Sequence, residues 1–151
     1  MIKVMFVCHG NICRSPMAEF IFKDMVKKRH LEDKIYVESS ATSREEIGAR
    51  VHYGTAKILD EMGIDYSKKR ARQFTRKDYE DFDNIVVMDD NKIINLRYIV
   101  EDKDDKVKKL LEYAGIDRDV ADPWYTHNFT KTYEDITLGC ACLLDNIVNL
   151  M

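Results

Sequence analysis

Cys8 and Arg14 bracket the segment Cys8-His9-Gly10-Asn11-Ile12-Cys13-Arg14-Ser15, with five residues between them. A thiolate is a nucleophile. An arginine guanidinium is a planar, permanent cation that grips two phosphate oxygens at once. The apolar run Ile2-Lys3-Val4-Met5-Phe6-Val7 precedes the segment and Pro16-Met17-Ala18-Glu19 follows it. This order reads as a strand, a tight loop and a helix start. A helix N-terminus offers unpaired N–H donors and partial positive charge, which suits an anion. Gly10 and Asn11 tolerate left-handed backbone, so the loop can turn its amides inward as a nest. The same field favours a thiolate at Cys8. Ser15 is placed at the helix N-cap and Pro16 in its first turn. The Ser15 hydroxyl could donate to the Cys8 sulfur and stabilise it as a leaving group. A bare Cys-x5-Arg match says little, but between a strand and a helix it points to thiol chemistry on a dianionic phosphoryl group.

The rest of the chain must place these residues. Residues 2–7 and Lys34 to Ser39 read as strands, and Asn84-Ile85-Val86-Val87-Met88 as a third. Residues 16–30 read as a helix with Met17, Phe20, Ile21, Met25 and Val26 near a 3.6 period. The segment 51–62 reads as a helix that stops at Gly63. Thr75-Arg76-Lys77-Asp78 and Asp89 are helix starts, and Ser43-Arg44-Glu45-Glu46 has capping-box spacing or is a turn. Val107, Leu110 and Leu111 fit a helix as well as a strand over 106–113. Residues 130–150 form an amphipathic helix with Phe129, Tyr133, Ile136, Cys140, Leu143, Ile147 and Leu150 on its core stripe. Lys103-Asp104-Asp105 is a surface turn. Such alternation gives one α/β domain over residues 1–151, a three-layer sandwich with a parallel sheet and helices on both faces. Ligands bind such sheets outside the carboxyl ends of strands. Cys8, Ser39, Asp89 and Asp122 all follow strands, so they are expected on one rim.

The segment Val7 to Glu19 resembles the active-site loop of the low-molecular-weight protein tyrosine phosphatases. Ser39-Ser40-Ala41-Thr42-Ser43, Ala71-Arg72-Gln73, Met88-Asp89 and Asp122-Pro123-Trp124-Tyr125 resemble family segments in the expected order. The resemblance spans essentially the whole chain and favours a fourth strand in 106–113. It implies a four-stranded sheet with a phosphate-binding loop after the first strand. It implies hydrolysis of phosphotyrosine, and of small aryl phosphates, through a phosphocysteine at Cys8, with no metal or organic cofactor. A tyrosine phenol titrates near ~10, so an acid helps it leave. Asp122 on a mobile loop is that acid, and then the base for the attacking water. Pro123 stiffens the loop, and Trp124 and Tyr125 are aromatic walls for the ring. Many relatives carry two tyrosines there, the sites of regulatory phosphorylation; here such control would rest on Tyr125. Asn11, with Ser39, holds the loop. Asp89 caps the next helix or orients Arg14. Cys13 is either a reversible disulfide partner for Cys8 or a passive buried thiol. His9 replaces the small or apolar residue usual after the nucleophile and is placed at the pocket mouth. His30, His52 and His127 receive no role.

Three other readings are weighed. A protein arginine phosphatase shares the scaffold, but its loop resembles Thr where this chain has Ile12. A thioredoxin-coupled arsenate reductase needs further cysteines in mid-chain, and none lies between Cys13 and Cys140. A non-catalytic phosphate-binding module would need neither Cys8 nor Asp122. A net charge of -3 argues against a nucleic-acid partner. The cluster Lys68-Lys69-Arg70, with Arg72 and Arg76, reads as a solvated edge. No apolar stretch approaches the ~20 residues of a membrane span and no signal peptide is visible. Four cysteines without framework or zinc spacing suit a reducing cytoplasm. A phosphotyrosine protein is the expected partner, and the enzyme is expected as a monomer with at most weak self-association.

Overall fold

A computed structural model describes all residues, 1–151. Strand β1 spans Ile2–Cys8, β2 Ile35–Ala41, β3 Asn84–Val87 and β4 Val107–Lys109. All pairings are parallel, in the order β2-β1-β3-β4. The helices are α1 (Arg14–Lys28), α2 (Tyr53–Glu61), α3 (Arg76–Asp81), α4 (Asp90–Leu96), α5 (Pro123–Thr126) and α6 (Phe129–Leu150).

Side chains alternate across a strand, and β1 is apolar on both faces. Val4, Phe6 and Cys8 join one core with Met17, Ile21 and Phe22 of α1 and Ile136, Cys140 and Leu143 of α6. Phe6 meets Phe22 edge-on, with centroids 5.5 Å apart. Met5 and Val7 join a second core with Phe74, Tyr79 and Phe82 around α3 and Leu96 of α4. Both faces are therefore covered, as the three-layer expectation requires. From β1 the chain crosses to β2 on one side and later to β3 on the other. This reversal opens a crevice at the carboxyl ends of β1 and β3. Cys8 ends β1, and Asp89 lies just beyond the end of β3.

Several local expectations change. Segment 106–113 is neither all strand nor all helix: β4 has three residues and a 3-10 turn, Leu110–Ala114, follows at once. Gly139 of α6 explains the fit. A Cβ there would lie 2.5 Å from Leu110 Cγ, so the absent side chain admits Leu110 to the core. Leu150 leaves the expected stripe and is exposed, because it is the last helical residue and overhangs the core. The basic segment is not uniformly a solvated edge. Lys69 donates to Ser39 O at 2.8 Å, and Arg72 forks onto Asp78 at 2.8 and 3.0 Å. Lys68 and Arg70 remain exposed. The helix start read at Thr75–Asp78 is closed by a capping box, whereas the capping-box spacing at Ser43–Glu46 leads into a turn over residues 45–48. No helix is long and apolar enough to cross a membrane.

Gly139→Ala should destabilise the fold by about 1–3 kcal/mol through overpacking against Leu110. Urea unfolding measures this, with the neighbouring exposed Leu138→Ala expected to shift stability by no more than about 0.5 kcal/mol.

Candidate active site

The loop between β1 and α1 is held by its carbonyls. Thr42 N donates to Cys8 O at 2.9 Å, Ser43 N to His9 O at 3.1 Å and His52 N to Ile12 O at 2.9 Å. Thr55 Oγ1 donates to Cys13 O at 3.1 Å. The amides of residues 9–13 donate to nothing within the chain. A loop with its carbonyls engaged and its amides free is a receptor for an anion.

Asn11 supplies the left-handed residue, with φ of 59°. Its buried side chain donates to Ser39 Oγ at 2.9 Å and Ser15 Oγ at 2.8 Å, and accepts from Arg72 N at 3.2 Å. Ser39 Oγ donates onward to Glu19 Oε1 at 2.5 Å, and Lys23 reaches the other oxygen of Glu19. Every polar atom of the Asn11 amide is thus engaged, which fixes the loop. Gly10 does not take the left-handed form that it tolerates. A Cβ there would lie 3.2 Å from Cγ of Glu46, a tight contact with an exposed side chain.

Ser15 is not the N-cap. Helix α1 starts at Arg14, its cap is Cys13, and no side chain caps it. Ser15 Oγ turns instead toward Cys8 Sγ, 3.0 Å away. It already accepts from Asn11, so its proton is left for the sulfur or for Ser40 O, which is 3.4 Å away. As a cap, this hydroxyl would have turned its oxygen to a helix amide and away from the sulfur. Cys13 is buried and its thiol is pushed up to about 12, by burial first and then by the negative charge of Cys8 and Asp122. It is a poor nucleophile in this setting.

Arg14 is only 2 % exposed. Its NH1 donates to Val120 O at 2.8 Å and meets Asp89 Oδ2 at 2.9 Å, while NH2 lies 3.5 Å from Asp122 Oδ2. Asp89 does both of the things proposed for it: Oδ2 orients Arg14 and Oδ1 caps α4 by accepting from Lys92 N at 3.1 Å. Burial pushes its carboxyl up, but Arg14 and Lys92 outweigh that and hold it below the usual carboxylate range. Asp122 Oδ1 accepts from Trp124 N at 3.0 Å and caps α5, so the expected loop is a capped helical turn. The segment before it is tied down. Val120 N donates to Met88 O at 2.9 Å, Arg118 forks onto Asp135 at 2.9 Å twice, and Thr132 Oγ1 donates to Ala121 O at 3.0 Å.

These elements enclose a cavity of about 440 Å³. Cys8, His9, Gly10, Ile12, Cys13 and Arg14 line it from the loop, and Asp89, Asp122, Trp124 and Tyr125 from other elements. Asn11, Ser15 and Ser39 stand behind this wall and support it. Trp124 is 60 % and Tyr125 80 % exposed beside the mouth. His9 is at the mouth, as expected, and pairs with Glu45 at 2.8 Å. Glu45, Glu46, Asn91 and Lys92 also line the cavity, although no motif in the chain marks them for it. His52 stands outside that lining, and its Nδ1 accepts from Gly54 N at 3.2 Å. The ring of His52 stacks on Phe129, centroids 5.4 Å apart, and meets Trp124 edge-on at 6.0 Å. No spacing in the chain signals that cluster, because His52 lies more than seventy residues before Trp124 and Phe129.

The family model for low molecular weight phosphotyrosine protein phosphatase matches residues 3–149. The low molecular weight protein-tyrosine-phosphatase YfkJ of Bacillus subtilis is 44% identical over 150 residues, covering 97% of this chain and 96% of that protein. The YfkJ crystal structure superposes with a TM-score of 0.95 at 43% identity, covering 99% of this chain and 96% of that one. The SP-PTP structure, a low molecular weight protein tyrosine phosphatase from Streptococcus pyogenes, gives 0.85 at 41%, covering 100% and 94%. With the free loop amides, the buried arginine and the cysteine at the strand end, these matches establish that the chain belongs to the low molecular weight phosphotyrosine protein phosphatase family.

Proposed function

We propose that this chain hydrolyses phosphotyrosine in proteins, with Cys8 as nucleophile, Arg14 as the phosphoryl clamp and Asp122 as acid and then base. Family membership brings cysteine-based phosphomonoester hydrolysis through a phosphocysteine. The observation that carries the residue assignment is the set of unpaired amides at residues 9–13, in one cavity with Cys8, Arg14 and Asp122.

The non-bridging phosphoryl oxygens take the loop amides and the Arg14 fork, which stabilise the charge of the transition state. NH1 of Arg14 is locked by two partners. NH2 has one long contact, to Asp122, and exchanges it for phosphate. The Cys8 thiolate attacks phosphorus, the bond to the phenolic oxygen breaks, and Asp122 gives that oxygen a proton. Water then attacks the phosphocysteine, Asp122 takes a proton from it, and the P–S bond breaks. The hydroxyl of Ser15, 3.0 Å from the sulfur, stabilises the departing thiolate. Ile12 at the cavity wall and the exposed rings of Trp124 and Tyr125 favour an aryl substrate over phosphoarginine. The same reading takes the enzyme as a cytoplasmic monomer that engages protein rather than nucleic acid; the net charge of -3 and four free thiols support it.

Cys8→Ser should lower turnover of p-nitrophenyl phosphate by at least about 10⁴-fold while inorganic phosphate still binds, as read by calorimetry. Asp122→Ala should cost about 10²–10³-fold on phosphotyrosine and much less on an aryl phosphate whose leaving group needs no proton. Equal losses on both would remove Asp122 as the acid. Peptides carrying phosphotyrosine, phosphoarginine or phosphoserine, assayed side by side, should rank phosphotyrosine first by kcat/KM. A preference for phosphoarginine would overturn the substrate assignment.

A further inference from the structure

Lys92 stands on the third position of α4, and the residue is 7 % exposed. A lysine is rarely so buried without a partner. The ammonium makes no hydrogen bond within the chain. Its one charged neighbour is Asp89 Oδ1, 3.5 Å away. Lys92 also lines the cavity that holds Cys8 and Arg14. The stem is therefore packed and the charged end is spent on the site.

Asp89 is divided between two cations. Oδ2 meets Arg14 NH1 at 2.9 Å and Oδ1 faces Lys92. With Asp122 holding the proton it delivers, Arg14 and Lys92 face the single carboxylate of Asp89. Without Lys92 the cluster would be neutral, with no net positive charge left for the thiolate or the phosphate dianion. The mouth adds further negative charge, from Glu45 and Glu46. Arg14 alone would be neutralised by Asp89, the carboxylate that orients it.

We infer that Lys92 is a positioning residue for phosphate binding. It holds the second oxygen of Asp89, offsets that carboxylate's charge, and leaves the Arg14 guanidinium available to the dianion. This rests on the phosphatase reading above. The effect falls on binding of the doubly charged phosphoryl group more than on bond breaking, since Lys92 contacts neither Cys8 nor Asp122.

The test uses the full chain with three variants. Lys92→Met keeps the buried stem and removes the charge, Lys92→Gln does so with a polar end, and Lys92→Arg keeps the charge. Melting temperatures select the folded variants. Folded Lys92→Met or Lys92→Gln should raise both KM for p-nitrophenyl phosphate and the inhibition constant of inorganic phosphate about tenfold. The fall in kcat should be smaller than either. Lys92→Arg should recover both constants to within about threefold, and added salt should narrow the gap between wild type and Lys92→Met. Both constants unchanged in a folded neutral variant would overturn the inference, as would equal loss in Lys92→Met and Lys92→Arg. Wild-type protein that fails to turn over p-nitrophenyl phosphate, or Cys8→Ser that turns it over normally, would overturn the phosphatase reading instead.

Discussion

The buried charge of Arg14 is the constraint from which much of the site follows. A guanidinium that is 2 % exposed needs partners on its donors, because an unpaired charge in that position is strongly destabilising. Those partners come from far along the chain. Val120 offers a carbonyl, Asp89 a carboxylate at 2.9 Å and Asp122 a looser one at 3.5 Å. The carboxyl ends of β1 and β3 and the segment after the 3-10 turn must therefore meet at one point. The parallel sheet brings them there, and Val120 is pinned to Met88, directly after β3, by a backbone bond.

The second organising feature is the direction of the loop's peptide groups. Four carbonyls point into neighbouring elements, to Thr42, Ser43, His52 and Thr55, and the amides are left without acceptors. That inversion is unfavourable for a loop by itself. It is sustained by Asn11, whose left-handed backbone and fully engaged amide tie the turn to Ser39, Ser15 and Arg72. Preorganisation of this kind supplies charge stabilisation without rearrangement at the moment of reaction.

The features legible in sequence were those whose signals are local. Strand β1, the Cys8–Arg14 spacing, the helix start at Thr75–Asp78 and the long α6 all declare themselves within a short window. The carboxyl-end rule placed Cys8, Asp89 and Asp122 on one rim; Ser39, expected there too, lies inside β2 and supports the loop from behind. What escaped depended on contacts between segments. Ser15 had the composition of a helix cap, and only the proximity of Cys8 sent its hydroxyl elsewhere. Lys69 and Arg72 looked like surface charge until Ser39 O and Asp78 drew them inward. The split of 106–113 into strand and 3-10 turn required Gly139, which makes room for Leu110 from α6. His52 gained its place through Phe129 and Trp124, and Lys92 through Asp89.

Asp122 has a further property that follows from its cap. Oδ1 is bound to the amide of Trp124, and the same turn carries Tyr125. The carboxylate and the aromatic rings at the mouth thus share one short capped turn, and the residues leading into it are held to α6 through Ala121 O and Arg118. A shift of the indole backbone therefore moves the carboxylate with it, so the group facing an incoming ring and the group facing its oxygen cannot be positioned independently.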